Sequence, residues 1–230
     1  MGHAFSLAVK EWEWVRENPV RKVSKERADN PIERWLTLEE EKSLLAEAPI
    51  WLRDIIRFAI NTGLRQGEIL DLQWPQVDLG RKILVIGKQK NRSRDTLPLN
   101  ETAWGILKDR ERARRKNTVH VFYNGNGKPI DARNLLRAFY SATQKAGIAK
   151  LRFHDLRHTF ATRLVQAGVD IYTVQKLGRW KTISMIMRYA HHHPESLRAG
   201  VEVLDRVNGR VVQKVVQPDE KGVAENCATP

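Results

Sequence analysis

The sequence contains a single cysteine, Cys227, close to its C-terminal end. One thiol excludes a disulfide within the chain, and this usage is typical of a reducing compartment. The sequence also lacks an apolar run that approaches the roughly 18 residues of a membrane-spanning helix. Its first residues do not show the pattern of a secretory signal peptide. We therefore expect a soluble, cytoplasmic protein that does not enter a membrane.

Acidic residues are in the minority. The 230 residues include 40 lysines and arginines but 27 aspartates and glutamates, which gives a formal net charge of +13. A surplus of this size favours a polyanionic partner such as a nucleic acid, because each neutralised phosphate releases bound counterions. The alternative is a basic protein whose charge only keeps it soluble. A hydrophobic content of 41% is enough to form a substantial core.

Hydrophobic periodicity predicts an α+β protein that is predominantly helical. Thr37 and Glu40 have the spacing of a capping box, and Gly63 and Gly147 are placed to end helices. The run Ile83–Ile86, followed by a basic turn and DTLPL, predicts a small antiparallel hairpin. VHVFYNGNGKPI predicts a further short strand and turn. We expect a multi-helix bundle with a small antiparallel β-sheet.

Composition divides the chain into four segments. Residues 1–20 contain FSLAVKEWEWVRENP, a helical pattern that stops at Asn18–Pro19, because proline disfavours helical geometry in the residue before it. Residues 21–35 are basic, polar and aperiodic, as in a linker. Residues 36–208 form the main folded unit, and residues 209–230 form an arm or a disordered tail.

The segment HDLRHTF concentrates side chains that can carry chemistry. His154 and Arg157, three residues apart, would share a helix face and bind an oxyanion together. His154 and His158, four residues apart, also have the spacing of two zinc ligands. Against zinc, Asp155 replaces the glutamate of HExxH, and Arg157 would repel the ion. Two ordinary polar residues on a helix are the third interpretation.

Three further segments add cationic or nucleophilic groups. In NTGLRQGEIL, Glu68 would orient Arg65 beside a helix N-terminus, although a surface ion pair explains this segment as well. In MRYAHHHPESL, Tyr189 precedes three histidines, and cationic neighbours would favour its use as a nucleophile. The turn GKQKNRSR is either a solvated loop or an element that reaches into a DNA groove, where a lysine can act as a general acid. Its basic residues are Lys88, Lys90, Arg92 and Arg94.

In this order the segments resemble the catalytic domain of the tyrosine recombinase, or phage integrase, family. The family signature is Arg…Lys…His-x-x-Arg…His/Trp…Tyr. TGLRQGE resembles the first box, KNRSRDTLPL the β-hairpin with its lysine, and HDLRHTFAT the central box. LGRWKTISMIMRYAH resembles the last box, with a tryptophan nine residues before the tyrosine, although the family more often has LGH. The catalytic residues that this resemblance implies are Arg65, Lys90, His154, Arg157, Trp180 and Tyr189.

The resemblance implies DNA strand cleavage and rejoining without a metal or nucleotide cofactor. Tyr189 would attack the scissile phosphate and form a 3′-phosphotyrosyl intermediate. Arg65 and Arg157 would stabilise the developing negative charge, and Lys90 would protonate the 5′-oxygen that leaves. His154 would assist proton transfer.

The remaining residues have supporting roles in the same scheme. Trp180 would pack against the phosphate or donate its indole N–H to it. Glu68 and His158 would support the catalytic residues without contacting the phosphate themselves. The residues expected to contact DNA through the hairpin turn are Lys88, Arg92 and Arg94.

The resemblance also implies partners and domains. The partner is double-stranded DNA at the nucleoid of the cytoplasm. The protein is expected to be a monomer in solution and a homotetramer on DNA, because two strands in each of two duplexes must be cut. Residues 1–20 correspond to the last helix of a largely absent core-binding domain, 21–35 to the interdomain linker, and 36–208 to the catalytic domain. Within residues 209–230, the arm or disordered tail, GRVVQKVVQ is the candidate for an arm that docks on a neighbouring protomer.

Three alternative functions remain at this point. They are a non-catalytic DNA-binding protein on the same scaffold, a type IB topoisomerase and, more distantly, a zinc hydrolase. The run His191–His193 corresponds to the YAH that family members often carry. A purification tag is not expected there, because the run is short and internal, and incidental metal binding is the alternative.

Overall fold

The computed structural model describes residues 2–23, 34–87, 95–115, 118–190 and 204. It divides into two compact units, Met1–Glu33 and Arg34–Pro230, and each is described by itself below. Within these described ranges, every helix is too short or too polar to cross a membrane.

The first unit consists of one short helix, α1 (Gly2–Lys10), and a 3-10 turn at Pro19–Lys22. The side chain of Asn18 joins the two. Its Nδ2 donates to the carbonyl of Gly2 and to the hydroxyl of Ser6, both at 2.9 Å. Asn18 therefore closes the turn instead of extending the helix.

The helix predicted to continue to Asn18 ends at Lys10, so this part of the prediction is wrong. Glu13 has a φ of 50°, a left-handed conformation that a helix does not allow. Trp12 and Trp14 are exposed. These side chains bury little apolar surface within this unit. Extending the helix through Trp12 and Trp14 would therefore be stabilised little by packing.

The second unit contains the other described helices and the sheet. Its helices are α2 (Leu38–Glu47), α3 (Ile50–Thr62), α4 (Gln66–Leu70), α5 (Glu101–Arg112), α6 (Ala132–Lys145), α7 (Asp155–Gln166), α8 (Ile171–Gly178) and α9 (Ser184–Ala190). A 3-10 turn lies at Trp74–Gln76, and the strands are β1 (Val77–Asp78), β2 (Ile83–Ile86) and β3 (Asp95–Pro98).

The helix ends follow the predicted signals. The hydroxyl of Thr37 accepts from the backbone N–H of Glu40 at 3.2 Å, and the Glu40 carboxylate accepts from the backbone N–H of Thr37 at 3.1 Å. This capping box begins α2 and is confirmed. Gly63 ends α3 with a φ of 61°, and Gly147 follows α6 with a φ of 69°. Both predicted helix ends are therefore confirmed.

The sheet is antiparallel, with the strand order β1-β2-β3. β2 and β3 pair with Leu84 opposite Leu97, both buried, which confirms the predicted hairpin strands. Residues 88–94 between them lie outside the described residues. β1 pairs with β2, and its two residues are too few for alternation to reveal them in the sequence.

The strand predicted in VHVFYNGNGKPI is wrong. In residues 118–130 the chain forms isolated bridges, between Gln73 and His120 and between Tyr123 and Pro129. Val121 and Phe122 are consecutive and both fully buried. The segment therefore enters the core as an irregular stretch, without the alternate burial of a half-exposed strand.

α7 contributes residues to two apolar clusters. The larger cluster includes Phe58, Phe139 and, from α7, Leu156. The smaller cluster joins α7, α8 and α9 and contains Phe160, Val165, Val174, Trp180, Ile186 and Tyr189. α7 contacts α3 as well as α8 and α9, so this helix joins the two clusters.

Candidate active site

Arg157 is held where three helices meet, and it is 3% exposed. Its Nη1 donates to the carbonyl of Gly63 at the end of α3, and its Nη2 donates to the carbonyl of Gly178 at the end of α8. Carbonyls at helix C-termini carry partial negative charge and lack partners within their own helix. The guanidinium of Arg157 therefore stabilises both helix ends and attaches them to α7.

Both of these helix ends require glycine. A Cβ on Gly63, whose φ is 61°, would lie 2.5 Å from Cδ1 of Phe160. A Cβ on Gly178 would lie 1.5 Å from Cζ3 of Trp180. The ring of Trp180 packs on Gly178, and the guanidinium carbon of Arg157 lies 4.2 Å from its centroid. Trp180 and Arg157 are thus in direct cation–π contact.

Glu68 joins two arginines that are distant in the sequence. Arg65 is the N-cap residue of α4. Its backbone N–H and its Nη1 donate to the two carboxylate oxygens of Glu68, at 2.8 and 3.0 Å. Arg179 Nη2 donates to the same carboxylate at 2.6 Å. The expected pairing of Arg65 with Glu68 is present. Glu68 also bonds Arg179, to which the sequence motifs assign no role.

The charges in this cluster affect one another. Burial would raise the pKa of Glu68, but the bond from the Arg65 backbone and the charges of Arg179, Arg65 and Arg157 outweigh it and lower that pKa. Burial, together with the charges of Arg65 and Arg179, lowers the pKa of Arg157 to about 10. Three guanidinium groups with one carboxylate leave a surplus of positive charge. The cluster therefore favours a bound anion such as a phosphate.

His154 begins α7 as its N-cap residue, with helical φ and ψ values of −64° and −25°. The buried carboxylate of Asp155 accepts from the backbone N–H and from Nη2 of Arg152, at 2.7 and 2.8 Å, which holds this turn in place. Atoms packed around the His154 ring lower its pKa by desolvation. The charge of Arg157 lowers it further, and Asp155 opposes the change. The imidazole is therefore neutral at pH 7 and can accept a proton.

Tyr189 lies on α9 and is 2% exposed. Its hydroxyl forms a hydrogen bond with Nδ1 of His158 on α7. The ring centroid of Tyr189 lies 5.8 Å from that of His158 and 6.3 Å from that of Trp180. Tyr189 is also close enough to Arg157 to affect its pKa. The expected nucleophile thus lies beside the arginine cluster, but its hydroxyl is covered.

The two histidines of HDLRH lack a third ligand in the described part of the chain. The rings of His154 and His158 lie 5.0 Å apart at an angle of 86°. Asp155 is engaged by Arg152, and His158 by the hydroxyl of Tyr189. Among the residues that the structure describes, no three His, Cys, Asp or Glu side chains are grouped to hold a metal ion. The residues described around His154 and His158 therefore do not provide a set of zinc ligands.

Some predicted residues lie outside the described ranges, and these are Lys88, Lys90, Arg92, Arg94, His191–His193 and Cys227.

The sequence motifs did not identify Gln175, which contacts a site residue in the structure. Its carbonyl accepts from the backbone N–H of Trp180, and its Nε2 donates to the Trp180 carbonyl, both at 3.1 Å. Arg179 stands in LGRW, where the family more often has LGH, but the resemblance placed Trp180 in the His/Trp role and gave Arg179 none. Nothing in the sequence marked Gln175.

The helices, the small sheet and the arginine-rich site at the helix ends agree with a known family. The sequence pattern of the phage integrase family matches residues 34–196. The chain belongs to this family, which confirms the resemblance seen in the sequence boxes and the expected fold class.

Individual relatives agree with this assignment. The integrase of Salmonella phage P22 is 34% identical over 230 residues, which cover 95% of this chain and 59% of that protein. The shufflon-specific DNA recombinase of Escherichia coli is 31% identical over 191 residues, which cover 81% of this chain and 47% of that protein. The chain thus spans about half the length of these two relatives.

A solved structure shows the same fold. The Tn1549 transposon integrase, in complex with circular intermediate DNA, has a TM-score of 0.68 and 23% identity. The match covers 87% of this chain and 75% of that one.

Proposed function

We propose that the chain is the catalytic part of a site-specific DNA recombinase, an integrase that cuts and rejoins DNA through a covalent 3′-phosphotyrosyl intermediate. The observation that carries the proposal is the cluster of Arg65, Arg157 and Arg179 around Glu68, beside the tyrosine of α9. The names of the relatives, integrase and DNA recombinase, support the reaction class. The DNA bound to the Tn1549 integrase supports the substrate class.

Arg65 and Arg157 would bind the non-bridging oxygens of the scissile phosphate and stabilise the charge that develops on them. The side chain of Arg65 is 49% exposed and can be reached by DNA. Arg157 is fixed by its bonds to two helix ends, and a guanidinium has five N–H donors, so others remain for the phosphate. Donors fixed in advance need no reorganisation during the reaction, which is the basis of electrostatic catalysis.

The hydroxyl of Tyr189 would attack phosphorus, and the bond between phosphorus and the 5′-oxygen would break. Neutral His154 would assist proton transfer, and Lys90 would donate a proton to the leaving 5′-oxygen. Because Tyr189 is 2% exposed and its hydroxyl is bonded to His158, the hydroxyl must become accessible to the phosphate when DNA binds. In this scheme His158 holds the tyrosine before the reaction, and Trp180 keeps Arg157 in place.

The phosphotyrosine linkage preserves the energy of the phosphodiester bond, so rejoining consumes no nucleotide and requires no metal ion. The 5′-hydroxyl that is released would attack the linkage and restore a phosphodiester, either with the original strand or with an exchanged strand.

The test is incubation of the protein with supercoiled plasmid in EDTA, followed by denaturation with detergent. We expect relaxed DNA and a covalent protein–DNA adduct from the wild type. Tyr189→Phe removes the hydroxyl alone and should give no adduct while still binding DNA. Lys90→Ala should also bind DNA but form the adduct more slowly. An adduct formed by Tyr189→Phe would show that another residue is the nucleophile.

The same assay separates the alternatives. A recombinase joins two duplexes that carry the cleaved site, whereas a type IB topoisomerase relaxes plasmid without joining duplexes. A non-catalytic DNA-binding protein shifts the mobility of DNA but does neither.

For the assembly, we propose double-stranded DNA as partner, a monomer in solution and a homotetramer on DNA, acting at the nucleoid in the cytoplasm. The net charge of +13 supports DNA as the partner. Residues 1–20 would belong to a core-binding domain, 21–35 to a linker, 36–208 to the catalytic domain and 209–230 to an arm. Lys88, Arg92 and Arg94 of the hairpin turn would contact DNA.

A further inference from the structure

Arg179 occupies a turn that usually suits glycine. It ends α8 with φ and ψ values of 56° and 43°, which lie in the left-handed region. A residue with a Cβ adopts this conformation at an energetic cost, and such residues concentrate at functional sites. The turn directs a long cationic side chain inward, where it is 9% exposed. A strained, buried arginine next to Trp180 calls for a physical explanation.

The partners of Arg179 account for only part of its side chain. Its Nη2 donates to Glu68 at 2.6 Å. Its Nη1 is buried, and in the described part of the chain it has no hydrogen-bond partner. Leaving a buried N–H of a charged group without an acceptor is unfavourable. The side chain is therefore arranged to donate to one more group.

The surrounding charges indicate what that group is. Arg179 lies close enough to Arg157 that its charge helps to lower the pKa of Arg157. The carboxylate of Glu68 accepts hydrogen bonds from both Arg65 and Arg179. With three cations and one carboxylate, the missing acceptor should be an anion. In the proposed reaction the anion that enters this cluster is a DNA phosphate.

We propose that Arg179 is a third phosphate-binding arginine of this site, whose Nη1 donates to a non-bridging oxygen of the DNA phosphate while its Nη2 remains on Glu68. The inference rests on the proposed function and adds a residue to it. It also explains the chemistry of the turn, since a planar guanidinium can bond a carboxylate and a phosphate at once. An ammonium group at the same position lacks that fixed geometry.

The competing explanation is that Arg179 only positions Glu68, and through it Arg65. A double-mutant cycle separates the two roles, with the rate of adduct formation on supercoiled plasmid as the readout. Arg179→Gln should slow the adduct by about 10- to 100-fold, the range for a lost hydrogen bond to a charged partner. We expect a similar factor in the Glu68→Gln background, because the contact to phosphate does not pass through Glu68.

A loss of the Arg179→Gln effect in the Glu68→Gln background would overturn the proposal, because it would show that Arg179 acts through Glu68. An unchanged rate in Arg179→Gln itself would overturn it as well. Arg110→Gln is the matched control, since Arg110 also pairs with one carboxylate, that of Asp54 at 3.1 Å, and also has a buried donor without a hydrogen-bond partner in the described part of the chain, but lies on α5, outside the proposed site. It should keep the wild-type rate within about threefold. Circular dichroism and the melting temperature show whether each variant is folded.

A second measurement does not depend on strand cleavage. Side-chain Nε–H signals of ¹⁵N-arginine-labelled protein are followed while inorganic phosphate is added, and the Arg179 signal is assigned from Arg179→Lys. We expect the signals of Arg179 and Arg65 to move together. An Arg179 signal that stays in place while that of Arg65 moves would overturn the inference. An Arg179 shift without any wild-type adduct would support the inference and count against the proposed function.

Discussion

Arg157 combines two tasks that a lysine could not perform together. Its planar guanidinium donates to the carbonyls of Gly63 and Gly178 and packs on the ring of Trp180. An ammonium group would have the charge but not the fork that reaches two helix ends. The residue expected to bind phosphate is thus also the residue that joins α3, α7 and α8. We infer that its position is rigid before DNA arrives.

His154 provides a prediction about pH. Burial and the charge of Arg157 lower its pKa in the folded protein, so the unfolded chain takes up this proton first as the pH falls. Neutral His154 therefore makes its full contribution to the free energy of unfolding above pH 6.5, the ordinary histidine pKa being about 6.5. This contribution is lost as the pH falls below that pKa. The melting temperature of the wild type should fall more steeply from pH 7 to pH 5 than that of His154→Gln. Equal slopes in circular dichroism melts would contradict this.

The turn between α8 and α9 shows how one element positions several site residues. Gln175 pairs with both backbone groups of Trp180, and Gly178 leaves the space that the Trp180 ring fills. The same turn places Arg179 against Glu68. Because these contacts share one short segment, a change in its backbone should affect Trp180, Arg157 and Arg179 together.

Gly178→Ala tests this element. The new Cβ would lie 1.5 Å from Cζ3 of Trp180, so the ring must move, and we expect a loss of about 1–3 kcal/mol in the free energy of unfolding. Adduct formation should fall with it. Gly105→Ala is the matched control, because a Cβ there, inside α5, would have nothing within 4 Å. It should stabilise the protein by about 0.5–1 kcal/mol. Urea denaturation of both variants gives the comparison, and equal losses would refute the steric argument.

The first residues of the second unit are bonded to the helix that carries the site. The backbone N–H of Leu36 donates to Thr159 at 2.9 Å, and Arg163 donates to the Leu36 carbonyl at 3.2 Å. Residue 36 and α7 are therefore parts of one folded body, although more than a hundred residues separate them. This agrees with a family match that begins at residue 34.

The proposed assembly gives a prediction for the whole molecule. Sedimentation of the free protein should report a single chain of 26.6 kDa. Mixed with two duplexes that carry a mapped cleavage site, Tyr189→Phe should sediment as four chains on DNA, because the unreacted complex accumulates. Raising the salt concentration should dissociate this complex, since phosphate contacts release counterions. One chain for each duplex at saturation would contradict a tetramer.

Local signals in the sequence predicted local structure well. The capping box of Thr37 and Glu40, the helix ends at Gly63 and Gly147, and the strands β2 and β3 were all identified from neighbouring residues. The long helix up to Asn18 was wrong, because periodicity indicates an apolar face without showing what buries it. The strand near Phe122 was wrong because the core accepts two consecutive residues there.

Some features of the candidate site were likewise predicted from the sequence, and others appear only in the structure. The order of its boxes identified the family and the residues Arg65, His154, Arg157 and Tyr189, because their types and spacings are local properties of the chain. The family and the set of candidate catalytic groups could therefore be predicted from the sequence. Only the three-dimensional structure shows that Arg157 bonds two helix ends, that Arg179 bonds Glu68, and that the hydroxyl of Tyr189 bonds His158. Those contacts join segments far apart in the chain, and their geometry depends on how the helices pack.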